Sequence, residues 1–148
     1  MRTTNDEVVR SLEKLLADSY TLYVKTHGYH WNVTGPMFNS LHTMFEDEYT
    51  ELALAVDEIA ERIRALGAPA PGSYAQFSEL TSIREDTTVP KALDMVAALV
   101  EDHTTVIDSA RAVVRAAEEA GDDASVDLGV RRIDTHEKAA WMLRSHLE

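Results

Sequence analysis

His42, Glu46, Asp57 and Glu61 are the residues of this 148-residue chain whose types and spacing could do chemistry together. On a helix at ~100° per residue, the three acids lie roughly 40°, 60° and 100° from His42, so all four share one stripe. Imidazole nitrogen beside hard carboxylate oxygen is the donor set of a first-row divalent metal such as iron, with positions left open. Carboxylates set this close repel one another and are driven to protonate unless a cation stands between them. His30, earlier in the chain, offers a second imidazole, with Trp31 beside it. The plain alternative is a solvated acidic face. Phe38 to Ala65 holds seven acids (Glu46, Asp47, Glu48, Glu51, Asp57, Glu58, Glu61) against Arg62 and Arg64.

Distance splits the stripe. Glu46 and Asp57 are ~16 Å apart along one helix at 1.5 Å per residue, too far to share an ion. The stripe therefore holds two half-sites, His42/Glu46 and Asp57/Glu61. Two copies packed antiparallel about a two-fold axis near Glu51 and Leu52 would bring each half-site opposite its complement. A site inside one bundle would use Glu-x-x-His pairs. No Glu lies three residues before any of the six histidines, so that arrangement is not supported.

The elements that must position these residues are helices. Val8, Val9, Leu12, Leu15, Leu16 and Tyr23 recur at helical spacing in a first segment, which Gly35 and Pro36 end. A second runs from about Asn39 to Leu66 on Leu41, Phe45, Leu52, Val56, Ile59 and Ile63, ended by Gly67 and Pro69. A longer connection follows, where Ser73 to Leu80 could form a short helix. Pro90 suits the first turn of a third long helix, with Leu93, Val96, Val100, Ile107, Ala110 and Val114 inward and Gly121 as its stop. A fourth, from about Ser125 to His146, turns Val126, Val130, Ile133, Ala140 and Leu143 inward. No alternating strand pattern competes. The chain reads as one all-α domain over residues 1–148, a four-helix bundle.

Among the other histidines, His103 falls on the apolar stripe and reads as a hydrogen-bonded core or interface group. His27 reads as a bystander, and His136 and His146 as exposed. Trp31 and Trp141 are first of all packing residues, although a Trp beside a metal can take up oxidising equivalents. Composition sets the outer limits. The net charge of −12 repels phosphate backbones and attracts cations. The absence of cysteine excludes disulfides and thiolate metal sites and fits a reducing compartment. No apolar run of signal-peptide or membrane-spanning length occurs, so a cytoplasmic location is expected.

His30-Trp31-Asn32, His42, an acid at 46, Asp57 and Glu61-Arg62, in this order and spacing, resemble the Dps proteins, the mini-ferritins named for DNA protection during starvation. The long connection between the second and third helices and Trp141 near the end fit the same pattern. The resemblance implies a ferritin-like four-helix bundle and a hollow homo-dodecamer. It also implies ferroxidase centres at two-fold interfaces, two irons (Fe²⁺/Fe³⁺) per intersubunit site, hydrogen peroxide as oxidant, and stored ferric mineral. Carried over, His30, His42 and Glu46 come from one subunit and Asp57 and Glu61 from its neighbour. Glu46 stands where the family often has Asp; the extra methylene moves the oxygens, so its ligation is the least secure. Asp122, Asp123 and Asp127 resemble the family's three-fold pore lining, a negative funnel for Fe²⁺. Their plain alternative is helix-start chemistry. A rival reading is a DNA-compacting protein with little ferroxidase activity. Many family members bind DNA through Lys-rich tails, whereas here Arg2 and Arg10 are balanced by Asp6 and Glu7, so DNA binding is expected to be weak.

Overall fold

A computed structural model describes residues 4–148; Met1, Arg2 and Thr3, including the Arg2 charge weighed above, lie outside the described residues. Five helices and no strand form among these residues: α1 (Thr4–Asn32), α2 (Phe38–Ala65), α3 (Tyr74–Leu80), α4 (Ala92–Ala120) and α5 (Asp123–Arg144). The four long helices make the expected bundle, with α3 as the short helix in the middle connection. Short links make α1/α2 and α4/α5 antiparallel hairpins. The hairpins meet mainly along α1 and α4, α3 lies on α1, and α2 and α5 touch only slightly.

The core runs through Leu12, Leu15, Leu41, Phe45, Leu52, Ile59, Leu99 and Leu143, all at 2 % exposure or less. Gly121 ends α4 in the left-handed conformation (φ 69°), a backbone geometry that is strained for any residue with a side chain. The next residue, Asp122, already caps α5 by accepting from the Ser125 backbone N–H. Gly129 is needed for close approach: a Cβ there would meet Val114 Cγ2 at 2.7 Å and the Ala110 carbonyl oxygen at 3.1 Å. Asp18, fully buried, accepts from Thr81 and Ser109 hydroxyls, the Ser82 N–H and the Lys14 ammonium. It ties the crossover connection to α1 and α4.

Several expectations need correction. Pro90 precedes α4, whose N-cap is Lys91, so it shapes the approach rather than the first turn. The buried stripe of α4 is Met95, Val96, Leu99, His103, Val106, Ala110, Val113 and Ala117. Val100, Ile107 and Val114 flank it half-buried, and Leu93 is exposed. A one-residue rotation explains the error, because this helix is apolar on more than one face. Val130 on α5 and both tryptophans, Trp31 at 65 % and Trp141 at 59 %, are exposed in the single chain.

Candidate metal centre

The last turn of α1 and the first turns of α2 bring together His30, His42 and Glu46. The two imidazoles stack with centroids 3.8 Å apart and planes 13° apart. Phe38, one turn before His42, stacks on its ring at 4.9 Å. His30 Nδ1 lies 2.7 Å from the His42 carbonyl oxygen, and His42 Nδ1 lies 2.7 Å from the His30 carbonyl oxygen. A carbonyl can only accept, so both Nδ1 atoms donate and each neutral ring keeps its lone pair on Nε2. Reciprocal bonds to main chain thus fix both tautomers and both ring planes, which is what outer partners do for metal-ligating histidines.

His30 is buried, whereas Glu46 is exposed, with Oε1 3.9 Å from His30 Nε2. The three donor atoms lie within 4.8 Å of one another. Two imidazole nitrogens and one carboxylate form half a coordination shell, open on the outward side, and suit a first-row divalent ion.

Asp57 and Glu61 project from α2 further along and are exposed. Within one chain they are not part of the His30/His42/Glu46 group. Neither makes a hydrogen bond or ion pair among the described residues, and their neighbours differ. Glu51 is held by two bonds from Arg132, and Glu58 is held by Arg131. Glu48 loses most of its water, which with the Asp47 charge pushes its carboxyl up to about 8.

The pore candidates are unequal. Burial works against ionised Asp122, but bonds from Ser125 and Arg62 outweigh it and hold its carboxyl below the ordinary value. Its helix-start role is therefore plain. Asp127 is bonded to Arg131 at 2.9 Å, and Asp123 is exposed in the first turn of α5.

His103 is a buried, hydrogen-bonded core histidine as expected. His136, expected to be exposed, is 1 % exposed, because α5 turns it inward against His103, Nδ1 to Nδ1 at 2.8 Å. Arg132, one turn earlier, donates to His136 Nε2 at 2.8 Å and to Glu51 across the bundle. The signal that could have found this chain was Arg132 and His136 four residues apart on the apolar side of α5. His146 is half-exposed, with Nδ1 donating to the Met142 carbonyl oxygen.

An antiparallel helical bundle with a His/Glu half-site defines a class, and a family model described as the ferritin-like domain matches residues 9–148. The "DNA protection during starvation protein 2" of Bacillus anthracis is 37% identical over 143 residues, covering 97% of this chain and 98% of that protein. A crystal structure of a Dps protein from Bacillus brevis superposes with a TM-score of 0.95 at 36% identity, covering all of both chains. The Dps protein from Vibrio cholerae O1, described as a member of a broad superfamily of ferritin-like diiron-carboxylate proteins, gives 0.94 at 33% identity. The match covers 98% of this chain and 91% of that one. This chain belongs to the Dps family of ferritin-like proteins.

Proposed function

We propose that the protein is a ferroxidase and iron store, oxidising Fe²⁺ with hydrogen peroxide at centres shared between two copies and holding ferric mineral in a hollow shell. The observation that carries this reading is the pair of reciprocal His30–His42 bonds. They aim two lone pairs beside Glu46, while Asp57 and Glu61 stand exposed on the same stripe without partners among the described residues. Iron is the substrate. His30 and His42 bind it through Nε2, Glu46 supplies oxygen to a second, weaker position, and Asp57 and Glu61 of the neighbouring copy complete the shell. Each intersubunit site takes two irons. Clustered carboxylates favour Fe³⁺ over Fe²⁺ by charge, and paired oxidation gives peroxide both electrons without releasing hydroxyl radical.

The same reading makes the chain one ferritin-like domain that assembles as a dodecamer, with Asp122, Asp123 and Asp127 at three-fold pores. Arg62 and Arg131 already offset Asp122 and Asp127, so Asp123 contributes most of the local field. Among the described residues no helix is long and apolar enough to cross a membrane, in keeping with a cytoplasmic location. The net charge of −12 supports weak DNA binding, which a gel shift at low salt with and without Mg²⁺ measures.

The test is complementation. His30→Ala and Asp57→Ala chains are each nearly inactive alone, because every site lacks a ligand. After dissociation, mixing and reassembly, half of the random dimers contain one intact site, which restores about a quarter of wild-type sites. Parental activity after exchange verified by mass spectrometry rejects the shared centre.

A further inference from the structure

The slight contact between α2 and α5 leaves a cavity of about 440 Å³ lined by both helices, with His103 of α4 also in its wall. That volume falls in the range of ~300–1,000 Å³ typical of small-molecule sites. The cavity opens on the far side of α2 from the half-site, because Glu48 in its wall is ~200° around the helix from Glu46. Two buried polar atoms of its lining, His103 Nε2 and Glu48 Oε1, have no hydrogen-bond partner among the described residues. Such atoms cost stability unless something in the cavity bonds to them. Met44, Leu52, Ala139 and Met142 make the rest of the wall largely apolar.

The direction of the histidine chain decides what His103 offers. Arg132 donates to His136 Nε2 at 2.8 Å, so His136 carries its proton on Nδ1 and donates it to His103 Nδ1, also at 2.8 Å. His103 is left with an N–H at Nε2. It is 2 % exposed, and burial keeps the ring neutral, pushed down to about 4. A metal ion therefore finds no lone pair on His103. An anion would share the cavity with Asp47, Glu48 and Glu51, against Lys138 alone. An ammonium would set N–H against N–H, and a purely apolar molecule would leave both buried atoms unpaired. A hydroxyl accepts and donates at one oxygen, and Glu48 can accept from it whether or not that carboxyl is ionised.

We propose that this cavity is a binding site for a small neutral phenol, whose hydroxyl accepts from His103 Nε2–H and donates to Glu48 Oε1. The thioethers of Met44 and Met142 give favourable sulfur–ring contacts to an aromatic body, and Leu52 and Ala139 complete the apolar wall. Water or an aliphatic alcohol would pair the same polar atoms but gain no such ring contact. None of the five residues assigned to iron lines the cavity, so the site stands or falls apart from the ferroxidase reading.

The experiment titrates assembled, metal-free protein with 4-fluorophenol, fluorobenzene and 4-fluorobenzoate and follows binding by fluorine NMR. Wild type should bind one 4-fluorophenol per chain at least about tenfold more tightly than fluorobenzene, because the bare ring leaves a buried donor unpaired. It should bind 4-fluorobenzoate more weakly than the phenol. His103→Phe removes the N–H and should abolish the preference for the hydroxyl. Ala139→Phe fills the cavity without touching either polar atom and should block both neutral probes, which keeps the test valid if His103→Phe fails to fold. Equal affinity for the two neutral probes, tighter binding of the benzoate, or no binding of any probe overturns the phenol site. So does 4-fluorophenol binding that survives Ala139→Phe, or a hydroxyl preference that survives in folded His103→Phe.

Discussion

The molecule holds two histidine pairs, and they use the same side chain in opposite ways. In the His30–His42 pair both Nδ1 atoms donate to main-chain carbonyls, so both Nε2 lone pairs are left over. In the His103–His136 pair the rings bond to each other, and Arg132 donates to His136 Nε2. His136 Nδ1 must then carry the proton and donate to His103 Nδ1, which leaves the N–H on His103 Nε2. The first pair offers two acceptors at the edge of the fold. The second offers a donor, locked by a cation that does not deprotonate. Ligand chemistry follows from the partners of the other ring nitrogen rather than from histidine content.

The largest contrast is in activity. His42→Ala removes a ligand and the ring stacked on His30, although the main-chain carbonyl that holds His30 Nδ1 remains. We expect iron oxidation to fall by more than about 100-fold, beyond the 10–100-fold typical of losing an outer partner. His103→Phe should leave the oxidation rate within about twofold once folding is confirmed, since it touches no donor of the half-site. Stopped-flow ferric absorbance on both variants measures the difference, and equal losses would erase the distinction between the pairs.

The second contrast is in acid. Burial, then the Arg132 charge, pushes His103 down to about 4. Burial, then His103 and Arg132, pushes His136 well below its ordinary value. An unfolded histidine titrates near 6.5. Above that pH neither state binds the proton and the pair costs nothing. Below it the unfolded chain takes up protons that the native chain refuses, so stability falls as pH falls. For His103 the loss saturates near its folded value at about 3 kcal/mol. Urea unfolding of the metal-free protein from pH 7 to pH 4 should show this slope, and His103→Phe should flatten it.

Periodicity made the bundle legible, because α1 and α2 each place apolar residues on one narrow face. It mis-rotated α4, where Val100, Ile107 and Val114 are as apolar as the true stripe and only packing against α1 and α5 decides between them. The residues of the open half-site were legible for a geometric reason: His42 and Glu46 are four apart on one helix. Their reciprocal lock with His30 was not, because its acceptors are main-chain carbonyls, which carry no sequence signature. His136 was misread for a related reason. Beside Thr135 and Glu137 it looks solvated, and its burial rests on His103 from α4 and on Arg132, itself held by Glu51 across the bundle. Asp18 was missed likewise, since its partners come from residues 81, 82 and 109.

Arg132→Ala breaks the lock on the closed pair. Arg132 is 4 % exposed, but the side chain of Glu51 is 42 % exposed, so water can replace the lost partner there. What stays uncompensated is His136 Nε2 and the space left by the guanidinium stem. A loss of about 2 kcal/mol is expected, from one buried unsatisfied acceptor plus lost packing. Denaturation of the apo protein at fixed chain concentration reports it. The same variant should shrink the acid-dependent loss, which still begins at about pH 6.5 but saturates at a higher pH, because the charge opposing His103 protonation is gone.

The smallest expected effect is the most discriminating for the open stripe. Asp57 and Glu61 are exposed and unpaired among the described residues, and the shared-centre reading places them near Glu46 and the histidines of a second copy. Without metal they add negative charge to an interface that already carries it. Asp57→Ala and Glu61→Ala should therefore leave apo stability unchanged or raise it by up to about 0.5 kcal/mol, the scale of a surface substitution. Iron binding by the assembled protein should nonetheless be lost. Calorimetric melting of apo and Fe²⁺-loaded samples separates the two effects. The wild type should gain stability with iron by mass action, and the variants should gain little. A variant that melts well below wild type without iron would show that these acids hold the fold, and would remove them from the centre.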